Sequence, residues 1–414
     1  MNIAFFVWEF LPRLVGGLGT YAVGITKKFK ELKNDVSVFT LNDGNLKTKE
    51  IFEGIEIHRA LLVDASDIFP IFVADDLKKW GSNIKFFSDV YIYNLLSATK
   101  FVNDLVRKNQ SKFELVSIHD WLSSVSGLLI KKELPNLPLV FHIHSIEEQR
   151  CLDGGSGTIK HFERKTAEYA DRIITVSHSM KDYLVSIGYP ADKIEVVHNG
   201  CDAEMYNPSE VNKEIVEELK ERYRIKPNEK IILFVGRLTA VKGVYNLINA
   251  MSNILKEYPA VKLIILGKGE QYNDLVIYSQ LHKISKKVFI RSEWVSEEER
   301  IAHYALADVC VFPSISEPFG IVSLEAMAMK KPVVVGASGI SGLKEQVIPL
   351  GEGRTGVHVD GRKPEDIGWG IKEILKNPDE AKKWGENGRK RVLKEFTWDR
   401  TAKKTLKIYE ELTK

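Results

Sequence analysis

Ile231-Ile232-Leu233-Phe234-Val235 runs directly into Gly236-Arg237-Leu238-Thr239-Ala240-Val241-Lys242-Gly243. An unbroken apolar run of branched and aromatic residues reads as a strand buried on both faces, and such strands belong to parallel sheets covered by helices. Glycines bracket the loop that follows, and a helical period resumes over 243–257. A strand, a glycine-bounded loop and a helix, in that order, form the repeating unit of an open α/β sheet. Ligands of such sheets bind beyond the carboxyl ends of the strands.

The same unit recurs along the chain. Apolar runs predict strands at 2–8, 36–41, 114–119, 138–143, 172–176 and 194–197, then at 231–235, 261–266, 287–290, 308–312 and 332–335. Helical periods lie between them at 20–33, 122–133, 209–224, 243–257, 296–305 and 320–330. A chain of 414 residues exceeds a common domain size about twofold, which predicts two domains. The pattern breaks at His198-Asn199-Gly200-Cys201-Asp202, Asn207-Pro208 and Lys226-Pro227-Asn228, and restarts at Ile231. We place domains at 1–198 and 199–396. The segment 42–90 interrupts the alternation and carries Phe52, Phe69, Phe72, Trp80, Phe86 and Phe87. It reads as a long irregular insertion, either a substrate-facing loop or a packed subdomain.

Composition narrows the function. Fifty-nine basic residues against 56 acidic ones leave a net charge of +3, too even for bulk nucleic-acid binding by charge. Cys151, Cys201 and Cys310 form no CxxC pair, which fits a reducing compartment and argues against a disulfide framework or a zinc knuckle. The apolar start 1–10 lacks a basic leader and a cleavage site, and reads as a first strand. With no run long enough to span a bilayer, a cytoplasmic protein is expected.

Candidate chemistry sits just after the strands. Gly16-Gly17-Leu18-Gly19 opens the first helix, where backbone amides can approach a phosphate, although such turns often serve packing alone. Arg237 and Lys242 place two cations where a pyrophosphate would lie, and a solvated loop with two surface charges fits the spacing equally. Pro313-Ser314-Ile315-Ser316-Glu317-Pro318-Phe319-Gly320 precedes an apolar helix that contains Glu325. Glu317 and Glu325 stand eight apart, which on a continuous helix is about 10 Å. A carboxylate within 321–329 is costly unless paired, and a hydroxyl-rich ligand would satisfy it. His119-Asp120-Trp121 and His142-Ile143-His144 close two first-half strands, with His142 and His144 on one face. One of these histidines reads as a core residue and the other as cleft-facing. No third ligand at convincing spacing supports a metal site. Lys27, Lys28, Lys30 and Lys33 offer a basic helix face for peripheral membrane contact, or simply a solvated one.

Together these motifs resemble the retaining GT-B glycosyltransferases over nearly the whole chain. Glu317-Pro318-Phe319-Gly320-Ile321-Val322-Ser323-Leu324-Glu325 resembles the E-x7-E motif of glycosyltransferase family 4, and Gly236-Arg237 with Lys242-Gly243 resembles its G-R-x4-K-G segment. Asn199-Gly200-Cys201-Asp202 is similar to the family's N-G-x-D linker. Glu9-Phe10-Leu11-Pro12, Gly16-Gly17-Leu18-Gly19, His119-Asp120-Trp121 and His144 resemble archaeal and bacterial glycogen synthases. Leu14 stands where those enzymes usually carry the lysine of K-x-G-G, with Arg13 adjacent and out of register.

The resemblance implies a GT-B fold, two Rossmann-like domains whose parallel sheets face a cleft, with a terminal helix at about 397–414 returning to the first domain. It implies that Arg237 and Lys242 hold the donor pyrophosphate, that Glu317 contacts the transferred sugar and that Glu325 binds the ribose. His144 would approach the sugar near its 6-position, and Gly16 and Gly17 would lie near the phosphate and acceptor. Asn199, Phe319 and Gly320 complete the donor set, with Trp294 bordering the base. The co-substrate is a nucleotide sugar, UDP-glucose or ADP-glucose, and no metal or other cofactor is implied. The expected reaction is α-retaining transfer, of glucose above all, onto a glycan, as in glycogen synthases. The alternatives are a lipid, surface-polysaccharide or small-sugar acceptor, and a non-catalytic sugar-nucleotide-binding protein.

Overall fold

The computed structural model describes residues 1–42, 44–79, 83–151 and 154–414, so Trp80 lies outside the described residues. The chain divides into two compact units, Met1–Asn199 with Trp398–Lys414, and Gly200–Thr397.

The first unit holds an eight-stranded sheet. Its strands are β1 (Asn2–Phe6), β2 (Asp35–Asn42), β3 (Lys49–Phe52), β4 (Ile55–Leu61), β5 (Leu115–His119), β6 (Leu139–Ile143), β7 (Arg172–Thr175) and β8 (Ile194–Val196), in the order β3-β4-β2-β1-β5-β6-β7-β8. All neighbours are parallel except β3 against β4. From β1 the chain builds outward through β2 on one side and, after β5, through β6 to β8 on the other. Its topological switch point therefore lies between β1 and β5, and the loops after those two strands flank it.

The segment 42–90 is not an irregular insertion. Its β4 extends the sheet by pairing parallel with β2, and Phe69 and Phe87 join Trp8, Tyr93 and Trp121 in one core cluster. Phe72, by contrast, is exposed. The strand escaped the apolar pattern because His58 and Arg59 interrupt it. Both are buried, and the Arg59 guanidinium pairs with the Glu50 carboxylate at 2.6 Å and donates to the Leu11 carbonyl at 2.8 Å.

The second unit holds β9 (Lys230–Val235), β10 (Val261–Leu266), β11 (Val288–Arg291), β12 (Val309–Phe312), β13 (Val333–Gly336) and β14 (Gly356–Val359), all parallel, in the order β11-β10-β9-β12-β13-β14. This is the strand order of a dinucleotide-binding Rossmann sheet, with its switch point between β9 and β12. The β9 run lies at its centre, buried from Ile231 to Val235. Short β14 was not expected, since a glycine starts it and only Val357 and Val359 of it are apolar. That glycine is required, because a Cβ on Gly356 would stand 2.1 Å from the Val333 carbonyl.

The last helix, Trp398–Leu412, packs on the helix Gly17–Glu31 of the first unit. Gly24 makes room for the Trp398 indole, which a Cβ there would meet at 2.5 Å. Among the described residues no helix is long and apolar enough to cross a membrane.

Candidate active site

In the second unit the two loops flanking the switch point are interlocked. Gly243 adopts φ +70°, and a Cβ on it would stand 2.2 Å from the Pro313 carbonyl, so only glycine lets the loop after β9 lie against the loop after β12. The Val241 carbonyl accepts the Ile315 amide at 2.7 Å. This contact sets Lys242, at the end of the turn Ala240–Lys242, beside Glu317, and the two form an ion pair. The Ser314 hydroxyl lies 3.4 Å from the same carboxylate. The Glu317 main chain is held on both sides, by its amide on the Ile340 carbonyl at 3.1 Å and its carbonyl on the Gly342 amide at 2.8 Å. Arg237, at the carboxyl end of β9, is exposed and makes no ion pair among the described residues. The carboxyl edge of the sheet thus presents Arg237 at the end of β9 and the Lys242–Glu317 pair in the loops after β9 and β12.

Gly320 stands at φ +91°, and the helix begins only at Ile321. Glu317 therefore lies in the loop, and the spacing to Glu325 is not the rise of a continuous helix. Phe319 is buried, its ring 6.2 Å from Phe396. Glu325 is 3% exposed. Its carboxylate accepts the Tyr304 hydroxyl at 2.8 Å and stands 3.7 Å from Arg300. Burial pushes its carboxyl above the ordinary range, and Arg300 opposes that shift. Of the two ways of meeting the cost of this carboxylate, pairing or a hydroxyl-rich ligand, the protein supplies the first itself, with a phenol and a guanidinium. Neither partner was legible, since both come from the helix Glu297–Leu306, far away in sequence. Trp294, past the end of β11, is 77% exposed, and neighbouring Arg291 is bound by Glu293 and Glu299 at 3.1 and 2.6 Å. Asn199 is buried, and its side-chain oxygen meets no donor among the described residues.

In the first unit, Gly16 caps the helix Gly17–Glu31. A Cβ on Gly16 or Gly17 would meet nothing within 4 Å, and neither glycine has a left-handed φ. The protein's own packing therefore does not require glycine at either position, and the space over this helix start is open. The Glu9 carboxylate accepts the Val15 and Gly16 amides at 3.1 and 3.0 Å and so holds the loop. Leu14 lies over Gly19, where a Cβ would meet it at 2.9 Å.

Beside this loop the structure gathers His119, His142 and His144, whose ligand-capable nitrogens all lie within 4.8 Å of one another. The third histidine that a metal reading lacked is thus supplied by the fold, since β5 and β6 are neighbours. His119 and His142 are both core residues, while His144 is half-buried. Asp120, at φ +53°, turns its carboxylate onto the His144 and Ser145 amides at 2.7 and 3.2 Å and fixes that backbone. Sequence reading missed the groups that contact these imidazoles, Tyr21, Ser117 and Tyr409. The basic helix face is largely neutralised locally, as Lys27, Lys28 and Lys30 pair with Glu53, Glu31 and Asp35.

Comparison with known proteins agrees with this architecture. Residues 15–205 match the model of Glycosyltransferase Family 4, and residues 215–391 match that of Glycosyl transferases group 1. An uncharacterized glycosyltransferase of Methanocaldococcus jannaschii is 32% identical, with 99% of this chain and 98% of the relative covered. A glycogen synthase of Mycobacterium tuberculosis is 27% identical, with 99% and 94% covered. Among solved structures, the catalytic domain of Arabidopsis thaliana starch synthase IV bound to ADP and acarbose superposes with a TM-score of 0.78 at 16% identity, covering 100% of this chain and 99% of that one. With two Rossmann-like units and a relative matched along its whole length, the chain belongs to the family 4 glycosyltransferases of GT-B fold, in the group that includes the glycogen synthases.

Proposed function

We propose that this glycosyltransferase moves glucose from UDP-glucose or ADP-glucose onto an α-glucan with retention of anomeric configuration. The observation that carries this reading is the meeting of Lys242 and Glu317 at the switch point of the second sheet, with Arg237, which makes no ion pair among the described residues, at the carboxyl end of β9. As the glycosidic bond breaks, negative charge grows on the departing diphosphate. Cations held in place before the reaction stabilise that charge more than they stabilise the bound donor. Arg237 and Lys242 fill this role, with the helix start at Gly320 alongside.

Glu317, already poised beside Lys242, takes hydroxyls of the transferred sugar. The base lies toward Trp294. Glu325 faces the ribose while anchored by Tyr304 and Arg300, and Asn199 has an unused acceptor for a donor hydroxyl. In the first unit, His144 approaches the sugar's 6-position, and the open space over Gly16 and Gly17 admits phosphate and acceptor. No carboxylate is carried over as a nucleophile, so the acceptor hydroxyl attacks from the face the diphosphate leaves. The relatives support an α-glucan acceptor, since one is named a glycogen synthase and another holds acarbose with ADP.

The test is incorporation of labelled glucose from UDP-glucose and ADP-glucose into a glycogen primer. Primer-dependent label with one donor, accompanied by free UDP or ADP, is expected. Label that enters only a lipid or small-sugar acceptor would overturn the acceptor, and donor binding without transfer to any acceptor would overturn the activity.

A further inference from the structure

Behind His144 a single file of hydrogen bonds runs through the first unit. Tyr21 Oη lies 3.3 Å from His142 Nδ1, and His142 Nε2 lies 2.7 Å from Tyr409 Oη. Tyr409 Oη lies 2.8 Å from Ser117 Oγ, which lies 3.0 Å from His119 Nε2. His119 Nδ1 then lies 3.2 Å from His144 Nε2. Tyr21, Ser117, His119, His142 and Tyr409 are all buried, so water does not break the file.

Burial pushes all three imidazoles below the ordinary histidine range, and they stand neutral at pH 7. A neutral imidazole carries one N–H and one lone pair on opposite nitrogens, and each hydroxyl gives one hydrogen. Under those two constraints the direction of any one bond fixes every other. Two states exist: either Tyr21 donates into the file and His144 ends with its hydrogen on Nδ1, or every bond is reversed and His144 Nδ1 is bare. The first is favoured at the far end. A phenol is a better donor than an alcohol, and an imidazole nitrogen a better acceptor than a hydroxyl. This favours the first state at Tyr21–His142, Tyr409–Ser117 and Ser117–His119 and opposes it only at His142–Tyr409, so Tyr21 donates to His142 Nδ1. His142 then donates to Tyr409, Tyr409 to Ser117, Ser117 to His119 and His119 to His144 Nε2.

We propose that this file holds His144 as the Nδ1–H tautomer, so that it offers the sugar a hydrogen-bond donor, and that Ser117 and Tyr409 are positioning residues for transfer. The inference rests on the proposed placement of His144 at the donor sugar. It assigns the recognised atom as a hydroxyl oxygen acting as acceptor. It also gives the terminal helix, through Tyr409, a part in the chemistry beyond packing.

Imidazole 15N NMR of the full-length protein tests it, with the His144 signals identified by their loss in His144→Gln. The expected wild-type pattern is a protonated Nδ1 and an unprotonated Nε2. Ser117→Ala should yield a mixed pattern and lower kcat by about tenfold, the loss of one well-placed hydrogen bond, with KM for the donor little changed. Ser117→Thr, which keeps the hydroxyl, should restore both. Should Ser117→Ala fold poorly, Tyr409→Phe interrupts the same link. A hydrogen on Nε2 of His144 in the wild-type protein, or an unchanged pattern in both variants, overturns the file. The expected pattern with full activity in His144→Gln instead overturns the placement of His144 at the sugar, and the two failures are thereby distinguished.

Discussion

Lys242→Ala should lower the rate of sugar transfer by roughly a hundredfold to a thousandfold, the usual consequence of removing one preorganised group from the site of developing charge. The variant loses more than a charge. Glu317 is mostly buried, and without Lys242 its carboxylate keeps, among the described residues, only the Ser314 hydroxyl at 3.4 Å. An unpaired buried charge is destabilising, so the melting temperature should fall as well. Glu317→Gln separates the two effects, since it removes the charge and keeps the volume. It should cost less stability than Lys242→Ala and still lose most of the rate. Initial-rate kinetics beside thermal unfolding of each variant check this. Near-normal turnover in folded Lys242→Ala would remove Lys242 from the donor site.

The second large effect is acid lability. His303 is buried, with Nε2 2.8 Å from the Tyr223 hydroxyl and Nδ1 2.7 Å from the Glu299 carbonyl, and burial lowers its pKa to about 4. Its pKa in the folded chain is below the unfolded value of about 6.5, so the unfolded chain binds the proton first as the pH falls. The stability that neutral His303 contributes is therefore complete above about pH 6.5 and is lost as pH falls toward 4. The shift corresponds to roughly 3 kcal/mol. His119, His142, His144 and His358 are displaced in the same direction by burial and steepen the loss. Calorimetric melting between pH 7 and 4 should show the decline, and His303→Gln should flatten part of it. A melting temperature constant across that interval would contradict the burial argument.

Most of the sheet framework could be read from the chain because parallel strands are apolar on both faces, and β9 and β10 are written almost wholly in branched residues. The strands that escaped did so for different reasons: β3 is a mostly exposed edge, β14 is short and starts on glycine, and the burial of β4 depends on partners. In β4, His58 and Arg59 look like loop residues until Glu50 and the Leu11 carbonyl are seen. Glycines at loop ends marked where backbone crowds, and Gly243 against Pro313 is such a place. The Lys242–Glu317 contact was not legible, because 75 residues separate its partners and only the β9–β12 adjacency joins them. The sequence shows that Glu325 is costly unless paired, but its partners Tyr304 and Arg300 were out of view for the same reason. Three histidines were noticed, but the hydroxyls that tie them into one file come from Tyr21, Ser117 and Tyr409, scattered from the first helix to the last.

Sugar transfer by this chain, as proposed, requires positive charge at the β9–β12 edge to be aimed at a diphosphate. Crystals of the full chain soaked with UDP or ADP should show both phosphates within hydrogen-bonding reach of Arg237 and Lys242, with Glu317 turned from Lys242 toward the space left for the sugar. A diphosphate bound elsewhere on the molecule, with the Lys242–Glu317 pair undisturbed, would contradict it.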